Sequence, residues 1–302
     1  MSILYELSSI IDRAKADYAA ISKGDAQLQP GTVFCGDNAA FLAEHCLCAE
    51  KLIDFIYVDP PFFSNAEYKA NVRVEGRVEK LQAFSDRWES MSDFLGNMAL
   101  RLLLMRDVLK DSGTIAVHLD TRASHYVKVL MDEIFGSRNF VNEIIWSYKS
   151  GGASIKSFAK KHDTILLYSK TRKYFFEPQK ERSYNRGGKP YRFKGVEEFE
   201  DEDGRWYTLV NRKDVFNVDM VGRTSSERTG YATQKPEKLL EILIRSCCPE
   251  GGVCADVFCG SGSLGTAAEK LGRSYVLCDS SELAVSITKQ RLGLAPDGQK
   301  EQ

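Results

Sequence analysis

The chain has 302 residues, of which 43% are hydrophobic and 27% charged, a balance typical of a folded globular protein rather than a disordered one. Its formal net charge is −1, so a nucleic-acid partner must be bound by a local basic patch. No apolar run reaches membrane-spanning length, and the charged first 20 residues do not match a secretory signal. The eight cysteines and the histidines lack metal-site spacing, so we expect reduced, mostly buried cysteines in a cytoplasmic protein without a metal.

The first part of the chain alternates predicted helices and strands. The predicted elements are a helix over 4–21, a strand over 32–35 that ends at Gly36-Asp37, a helix over 39–48, and a strand that begins at Leu52. The last of these contains a short apolar run typical of a strand buried on both faces, formed by Ile53, Phe55, Ile56, Tyr57 and Val58. Residues 64–90 are polar and irregular, and their length predicts a functional loop.

The motif Asp59-Pro60-Pro61-Phe62 ends the buried strand and is rich in hydrogen-bond acceptors. Pro61 holds Pro60 extended, and neither proline has a backbone N–H. The turn therefore presents the Asp59 carboxylate and the Pro60 carbonyl as acceptors, with an aromatic ring just beyond. Such a group suits an –NH2 substituent on a flat ring, although a rigid strand end without a function has the same composition.

The alternation continues through the middle of the chain. The predicted elements are a helix capped by Ser92, a strand over 114–119, a helix over 124–135, and strands over 140–148 and 164–168. In residues 171–230, basic residues instead alternate with aromatic ones. Nucleic-acid binding needs this combination, because basic side chains contact phosphate and aromatic rings contact bases. A solvated surface segment without a binding function can have the same composition. We interpret 171–230 as an inserted nucleic-acid-binding module.

The last part of the chain contains a glycine loop between a strand and a helix. The predicted elements are a helix from Pro236 to Cys247, a strand over 253–258, a helix up to Leu271, a strand over 274–278, and a helix over 282–292. Gly260-Ser-Gly262-Ser-Leu-Gly265, with Asp279 at the end of the next strand, fits NAD or S-adenosylmethionine. NAD needs a second βαβ half after this loop, whereas only one strand and one helix follow.

Several short motifs, taken together and in order, resemble the amino-methyltransferase family of DNA modification enzymes. The resemblance covers nearly the whole chain, and its motifs are Gly36-Asp37, Asp59-Pro60-Pro61-Phe62, Phe84-Ser-Asp86-Arg-Trp88, Thr114 to Asp120, Asn142 to Tyr148, His162 to Lys170, Thr233-Gln234-Lys235-Pro236 and Phe258-Cys-Gly260-Ser-Gly262. The order of catalytic motif, variable region and cofactor motif is the β-type permutation of this family. Each motif alone is weak, and their common order is what carries the resemblance.

The resemblance implies an α/β fold of the Rossmann-like, S-adenosylmethionine-dependent methyltransferase type. It predicts a circularly permuted, mostly parallel seven-stranded sheet with one antiparallel strand and an inserted target-recognition segment. The strand over 32–35 would form one edge, and the Asp59 strand would neighbour the cofactor strand at the switch point. The implied division is a catalytic half over 1–170, target recognition over 171–230, a cofactor half over 231–293 and a flexible tail over 294–302.

The resemblance also assigns roles to residues, with S-adenosyl-L-methionine as cofactor. The catalytic motif is Asp59, Pro60, Pro61 and Phe62, where Phe62 stands in place of the Tyr of most relatives. The cofactor residues are Phe258, Gly260, Ser261 and Gly262 around the methionine portion, Asp279 at the ribose, Asp37 at the adenine ring and Lys235 at the methionine carboxylate. The DNA contacts are expected from Arg182, Arg186 and Lys189 in the insertion, and from a basic loop with Lys156, Lys160 and Lys161.

The predicted reaction is site-specific methylation of the N6 amine of a flipped-out adenine in double-stranded DNA. Asp at the start of the tetrapeptide favours adenine in this family, and N4-cytosine methylation is the nearest alternative. Methylation of RNA or of a protein glutamine, where Asn often replaces Asp59, and an inactive DNA-binding subunit are further alternatives. A homodimer and a cognate restriction endonuclease are predicted partners, and no membrane partner is expected.

Overall fold

The computed structural model describes residues 3–74, 77–149 and 154–295. Within these ranges the helices are α1 (Ile3–Ala20), α2 (Asn38–Glu44), α3 (Met91–Val108), α4 (Ser124–Met131), α5 (Glu237–Cys247), α6 (Ser263–Lys270) and α7 (Glu282–Arg291). The strands are β1 (Thr32–Cys35), β2 (Ile53–Val58), β3 (Ala66–Val74), β4 (Arg77–Asp86), β5 (Leu109–Leu119), β6 (Phe140–Ser147), β7 (His162–Ser169), β8 (Lys180–Tyr184), β9 (Glu198–Glu200), β10 (Trp206–Asn211), β11 (Val215–Asn217), β12 (Val253–Asp256) and β13 (Ser274–Asp279). A π-helical turn, Asp132–Gly136, follows α4.

A large sheet with the strand order β1-β13-β12-β2-β5-β7-β6-β11 organises the part of the chain that the structure describes. All neighbours in it are parallel except for β7, which runs antiparallel to β5 and to β6. The prediction of a mostly parallel sheet with one antiparallel strand is therefore confirmed. The described sheet has an eighth strand that was not predicted, because β11 comes from the inserted segment and pairs with β6.

The switch point of the sheet, where the order in which strands are added changes direction, lies between the parallel strands β12 and β2. From β12 the sheet continues through β13 to β1 at one edge, and from β2 it continues through β5 in the opposite direction. Both predictions about this region are confirmed, since β1 is an edge strand and β2 is the neighbour of β12. At such a switch point the loops after adjacent strands part and leave a crevice for a ligand.

Strand β2 alternates its side chains between two hydrophobic cores. Ile56 and Val58 pack on the face that is covered by helices α1, α2, α3 and α4. Phe55 and Tyr57 pack on the opposite face, with residues of α5 and α6. All six residues of β2 are buried, Asp54 included, which explains why the strand is apolar on both faces rather than alternating.

The prediction of an irregular loop over 64–90 is wrong. Strands β3 and β4 form an antiparallel hairpin, in which Tyr68 lies opposite Phe84 with the two rings stacked at 4.6 Å. In β3, Tyr68 and Ala70 are more buried than Glu67 and Lys69, so the alternation of a strand with one solvated face is present. The alternation is present in the sequence, and the prediction of a loop followed the polar composition of the segment instead of its period.

Helix α3 begins two residues earlier than predicted. Ser90, rather than Ser92, caps the helix, and its hydroxyl accepts a hydrogen bond from the Asp93 N–H at 3.1 Å. Ser92 lies inside the first turn and its hydroxyl donates to the Glu6 carboxylate of α1. Either serine could cap a helix by its residue type. Only the folded structure shows that the Ser92 hydroxyl is used in a contact with α1, whereas the Ser90 hydroxyl caps α3.

The inserted segment forms a small three-stranded sheet in the order β8-β10-β9 before it returns to the main sheet at β11. The division of the chain at residues 170, 230 and 293 stays a prediction, and residues 296–302 of the predicted tail lie outside the described residues. No disulfide joins any of the eight cysteines, all of which are described, and six of them are buried. Among the helices that the structure describes, none is long and apolar enough to cross a membrane.

Candidate active site

A cavity of about 570 Å³ lies where the carboxyl ends of β1, β2, β12 and β13 meet the hairpin β3–β4. The sequence-predicted residues that line it are Asp37, Asp59, Pro61, Lys235, Phe258, Gly260, Ser261 and Asp279. The hairpin adds Gln82 and Ala83, which the sequence did not indicate, and Phe84 and Ser85, which belong to one of the motifs noted there. The cavity has the size of a small-molecule site and unites the two halves of the predicted methyltransferase site.

Asp59 lies at the carboxyl end of β2 with its two carboxylate oxygens in different environments. Lys235, which is buried, donates from Nζ to Asp59 Oδ2 and also to the Thr233 carbonyl at 3.2 Å. Asp59 Oδ1 is buried and has no hydrogen-bond partner in the described structure. Because a buried acceptor without a partner is costly, Oδ1 is the atom of this site that most requires a donor. The predicted contact between Lys235 and a cofactor carboxylate stays a prediction.

The Phe62 ring rests on a buried polar network behind the site. It stacks on the imidazole of His118 with the centroids 6.0 Å apart and the planes at 26°. His118 contacts the Tyr57 hydroxyl through Nδ1 at 2.7 Å and Asp163 Oδ2 through Nε2 at 3.2 Å. Burial raises the pKa of the Tyr57 phenol well above its ordinary value, so the hydroxyl stays protonated. In the sequence, His118 is an ionisable residue within the apolar strand 114–119, and in the structure it is fully buried.

The backbone after Pro61 converges on the carboxylate of Asp86, the last residue of β4. The N–H groups of Phe62, Phe63 and Ser64 donate to it at 3.1, 3.1 and 2.7 Å. The Trp88 indole N–H is a fourth donor at 2.8 Å. Asp86 is 1% exposed. The motif around Asp86 and Trp88 was visible in the sequence, but its contact with the Asp-Pro-Pro-Phe turn was not.

The glycine loop after β12 has a backbone that only small residues permit. Gly260 and Gly262 have φ of +51° and +73°, and a Cβ on Gly262 would lie 2.7 Å from the Thr288 side chain. The loop is held by hydrogen bonds from the Thr288 hydroxyl to the Gly260 carbonyl at 3.0 Å and from Arg291 to the Ser261 carbonyl at 2.6 Å. These contacts leave the side of the loop that faces the cavity open.

Two acids border the loop. Asp279 Oδ2 accepts from the Gly260 N–H at 2.9 Å, and Oδ1 accepts from the Ser281 N–H at 2.9 Å. Burial raises the pKa of the Asp279 carboxyl, while these N–H groups oppose the change. Asp256 is more deeply buried, and burial together with the charges of Asp59 and Asp279 raises its pKa well above the ordinary value. Only Asp279 had been predicted from the sequence.

Asp37 lies at the start of α2, on the rim of the cavity. Its Oδ1 caps the helix by accepting from the Ala40 N–H at 2.9 Å, and Oδ2 pairs with Arg101 at 3.0 Å. The side chain is 59% exposed, so it is free on the solvent side. Its predicted contact with an adenine ring stays a prediction.

The predicted DNA contacts lie on two separate elements. Arg182 is on β8, where its guanidinium lies 4.8 Å from the Tyr207 ring centroid, and Arg186 and Lys189 follow in the next turn; all three are exposed. Lys156 and Lys160 are exposed in the segment between β6 and β7, and Lys161 Nζ donates to the Lys149 carbonyl at 3.3 Å. The same segment exposes Ile155 and Phe158 almost completely.

Comparison with known proteins identifies the class. The family model described as DNA methylase matches residues 53–290, and the chain therefore belongs to this N6/N4 amino-methyltransferase family of DNA methylases, which confirms the predicted family. The chain is similar to the type II methyltransferase M.EcaI of Enterobacter cloacae, with 28% identity over 95% of this chain and 74% of that protein. It is also similar to the type II methyltransferase M.HinfI of Haemophilus influenzae, with 27% identity over 81% of this chain and 66% of that protein.

Solved structures agree on the fold. The structure described as the PvuII cytosine-N4-specific DNA methyltransferase aligns with a TM-score of 0.57 and 15% identity, over 93% of this chain and 92% of that one. The complex of M1.HpyAVI with S-adenosylmethionine aligns with a TM-score of 0.55 and 16% identity, over 87% and 99%. The predicted methyltransferase fold is thereby confirmed, and S-adenosyl-L-methionine is the cofactor of the family, as predicted.

Proposed function

We propose that the chain methylates the N6 amine of adenine at a specific site in double-stranded DNA. The observation that carries the proposal is Asp59 Oδ1, a buried acceptor without a partner at the edge of the cavity. Its neighbour in the chain, Pro60, contributes a backbone carbonyl and no N–H. An exocyclic amine has two N–H groups, and these two acceptors match them. Family membership supplies the reaction class, and Asp59 supports the choice of an amine.

The protein holds the amine in the geometry that transfer requires. An aromatic amine is a poor nucleophile, because its lone pair is delocalised into the ring. Hydrogen bonds from its two N–H groups to Asp59 and Pro60 favour a tetrahedral nitrogen and direct the lone pair towards the donor side of the cavity. S-adenosyl-L-methionine, when bound, supplies the electrophilic methyl group. Lys235 occupies Asp59 Oδ2 and thereby leaves Oδ1 for the amine.

The cavity has the features that the cofactor needs. The positive-φ glycine loop lets the backbone approach a ligand closely, since a side chain on Gly260 would crowd the Tyr231 ring at 3.2 Å. We assign Phe258, Gly260, Ser261 and Gly262 to the methionine portion and Asp279 to the ribose hydroxyls. Asp37, exposed on its solvent side, is assigned to the adenine ring. Lys235 is assigned to the methionine carboxylate, which would require it to bridge that group and Asp59.

The target base must leave the duplex to reach Asp59, at a cost of a few kcal/mol. We assign to Phe62 the stacking of the extruded base, worth on the order of 1–3 kcal/mol. His118 supports the Phe62 ring from behind, so the ring is already oriented before DNA binds. Phosphate contacts are assigned to Arg182, Arg186 and Lys189, and to the segment with Lys156, Lys160 and Lys161.

Adenine is favoured over cytosine because Asp59, rather than Ser, begins the tetrapeptide. The N4-cytosine reaction is the second candidate, since a protein of that specificity has a similar fold. An inactive DNA-binding subunit is disfavoured by the intact acceptor and glycine loop. We further propose that the protein is cytoplasmic, forms a homodimer and acts with a cognate restriction endonuclease. Mapping of methylated bases in cells that express the chain defines the target site, and mass spectrometry of the nucleosides distinguishes N6-methyladenine from N4-methylcytosine.

The test is Asp59→Ala, assayed on an oligonucleotide that contains the mapped site. We expect the methyl-transfer rate to fall by on the order of 10²–10³, because one preorganised acceptor at the reacting centre is lost. Asp59→Asn, which keeps the shape and the Lys235 contact through its carbonyl oxygen, is also expected to be impaired. Asp111→Ala is the matched control, since Asp111 is 83% exposed and lies near the start of β5. A near wild-type rate for Asp59→Ala would refute the mechanism.

A further inference from the structure

The turn that carries Phe62 has an unusual backbone. Phe63 and Asn65 have φ of 62° and 54°, values in the left-handed region that residues with side chains seldom adopt. A turn of this kind persists only where its surroundings determine it. In this protein two contacts hold the turn. The carboxylate of Asp86 accepts hydrogen bonds from three backbone N–H groups, those of Phe62, Phe63 and Ser64. The side chain of Asn65 accepts a hydrogen bond at Oδ1 from the Trp88 N–H at 3.4 Å.

We propose that Asp86 is a positioning residue for methyl transfer, and this inference rests on the proposed function. Successive N–H groups that point to one spot form a concave site for an anion, and Asp86 fills that site from within the chain. The carboxylate thereby fixes the direction in which the chain leaves Pro61, and with it the position of the Phe62 ring. Asp86 does not touch the reacting amine in this assignment and acts through Phe62.

The location of Asp86 also connects the two ligands of the site. It is the last residue of β4, and the residues just before it, Gln82 to Ser85, form a wall of the cofactor cavity. The hairpin therefore contributes both a wall of the cofactor cavity and the carboxylate that holds the Phe62 turn.

The neighbours of the turn support this role. Trp88 donates to Asp86 from its indole nitrogen and packs edge-on against Phe94 of α3, with centroids 5.3 Å apart. Phe63 also lies against Phe94, at 6.0 Å. Phe94 is fully buried in the main core, so the turn and Asp86 are anchored to a rigid helix. Sites on rigid elements hold their geometry better than sites on free loops.

The experiment uses Asp86→Asn, which keeps the shape of the side chain but places an NH2 group among N–H donors. We expect kcat to fall by on the order of 10²-fold, because a small misplacement of a group next to the reacting atoms has this effect. Fluorescence of 2-aminopurine at the target position, which reports the seating of the flipped base, should change in the same variant. The calorimetric affinity for S-adenosyl-L-methionine should remain, so the loss falls on kcat.

The matched control is Glu67→Gln on the same hairpin. Glu67 accepts from Gln82 Nε2 at 3.0 Å and from the Ser85 hydroxyl at 2.9 Å, and it pairs with Arg87 at 3.1 Å, so these contacts lie in the hairpin and the residue next to it. Wild-type kcat and 2-aminopurine signal are expected for it. If Asp86→Asn fails to fold, Asp86→Glu replaces it, since it keeps the carboxylate but displaces it by one methylene group from the three N–H groups. A wild-type kcat and fluorescence signal in the variant that folds overturns the proposal.

A double-mutant cycle with Phe62→Ala tests whether Asp86 affects methyl transfer through the position of Phe62. If Asp86 acts through Phe62, Asp86→Asn costs little further activity in the Phe62→Ala background. Full additivity of the two losses overturns the proposal, because it places the action of Asp86 elsewhere. The proposed function fails separately: an active Asp59→Ala refutes it, whereas an inactive Asp59→Ala with a fully active Asp86→Asn refutes only the role of Asp86.

Discussion

Asp256 is a buried acid whose charge the fold disfavours. Its carboxyl accepts the Phe258 N–H at 2.9 Å, and burial raises its pKa well above the ordinary 3.8. As the pH rises above about 4, the unfolded chain ionises at this residue while the folded chain stays protonated, so the stability of the wild type falls. Asp256→Asn keeps an acceptor oxygen and has no charge to bury. We therefore expect it to be more stable than wild type above pH 4, with little difference below.

Thermal unfolding without cofactor, from pH 2 to pH 8, measures this difference. A gain of about 1 kcal/mol at neutral pH corresponds to a rise in Tm of roughly 2–4 °C for a domain of ordinary size. Asp201→Asn is a control of opposite sign, because the Arg205 backbone N–H lowers the pKa of Asp201 to about 2. That variant should be less stable than wild type at neutral pH and equal to it near pH 2. A constant difference for Asp256→Asn across the range would contradict the assignment of a neutral carboxyl.

The hairpin β3–β4 is attached to the rest of the fold through a close backbone contact at Gly230. The Asn71 N–H donates to the Gly230 carbonyl at 2.9 Å, and a Cβ on Gly230 would lie 2.2 Å from the Asn71 carbonyl oxygen. Gly230→Ala should therefore separate the two backbones, at a cost of roughly 1–3 kcal/mol. Since the hairpin walls the cavity, we expect weaker binding of S-adenosyl-L-methionine by calorimetry and faster hydrogen exchange in β3 and β4.

Gly251→Ala is the matched control for the hairpin variant. Gly251 shares the positive φ of Gly230, +70° against +86°, but a Cβ on Gly251 would meet no atom within 4 Å. It should leave cofactor affinity and hydrogen exchange unchanged. Wild-type affinity and exchange in Gly230→Ala would mean that the hairpin is held by its aromatic contacts, such as Phe84 on Tyr231, rather than by the backbone.

Elements with local signals were predictable from the sequence. The apolar run of β2, the glycine loop and the order of motifs led to the sheet and to most residues of the cavity. The hairpin was missed because the polar composition of 64–90 outweighed the alternation of Glu67 and Lys69 with Tyr68 and Ala70. The contacts of Asp86 with Phe62 and of Lys235 with Asp59 join residues 24 and 176 positions apart. Such contacts form only in the tertiary fold, and the spacing of residues in the sequence does not predict them.

On the scale of the whole molecule, the net charge is only −1, so DNA must be bound by a local cluster of basic residues. Arg182, Arg186 and Lys189 are exposed on one small sheet and the turn that follows it. Replacing all three with alanine should weaken DNA binding across sequences. Each lost phosphate contact should reduce the slope of log affinity against log salt by about 0.9. Binding titrations at several salt concentrations measure both effects.

The control removes the same three positive charges from another surface, by alanine substitution at Arg13, Lys15 and Arg106 of α1 and α3. A smaller effect on the slope is expected, because a change in overall charge acts only at long range and is screened. If the two triple variants behave alike, the insertion does not contact phosphate. The segment with Lys156, Lys160 and Lys161 would then be the next surface to test.

The pairing of β11 with β6 bears on how new sequence specificity could be engineered into this scaffold. The Arg212 N–H donates to the Gln179 carbonyl at 2.7 Å, so the three-stranded unit leaves and re-enters the fold at adjacent points. Segments with neighbouring ends are the ones that proteins exchange most readily. A chimera should therefore be joined at these two residues, which retains β11 as the edge of the host sheet. A graft of the whole of 171–230 would remove that strand and expose the edge of β6 to aggregation.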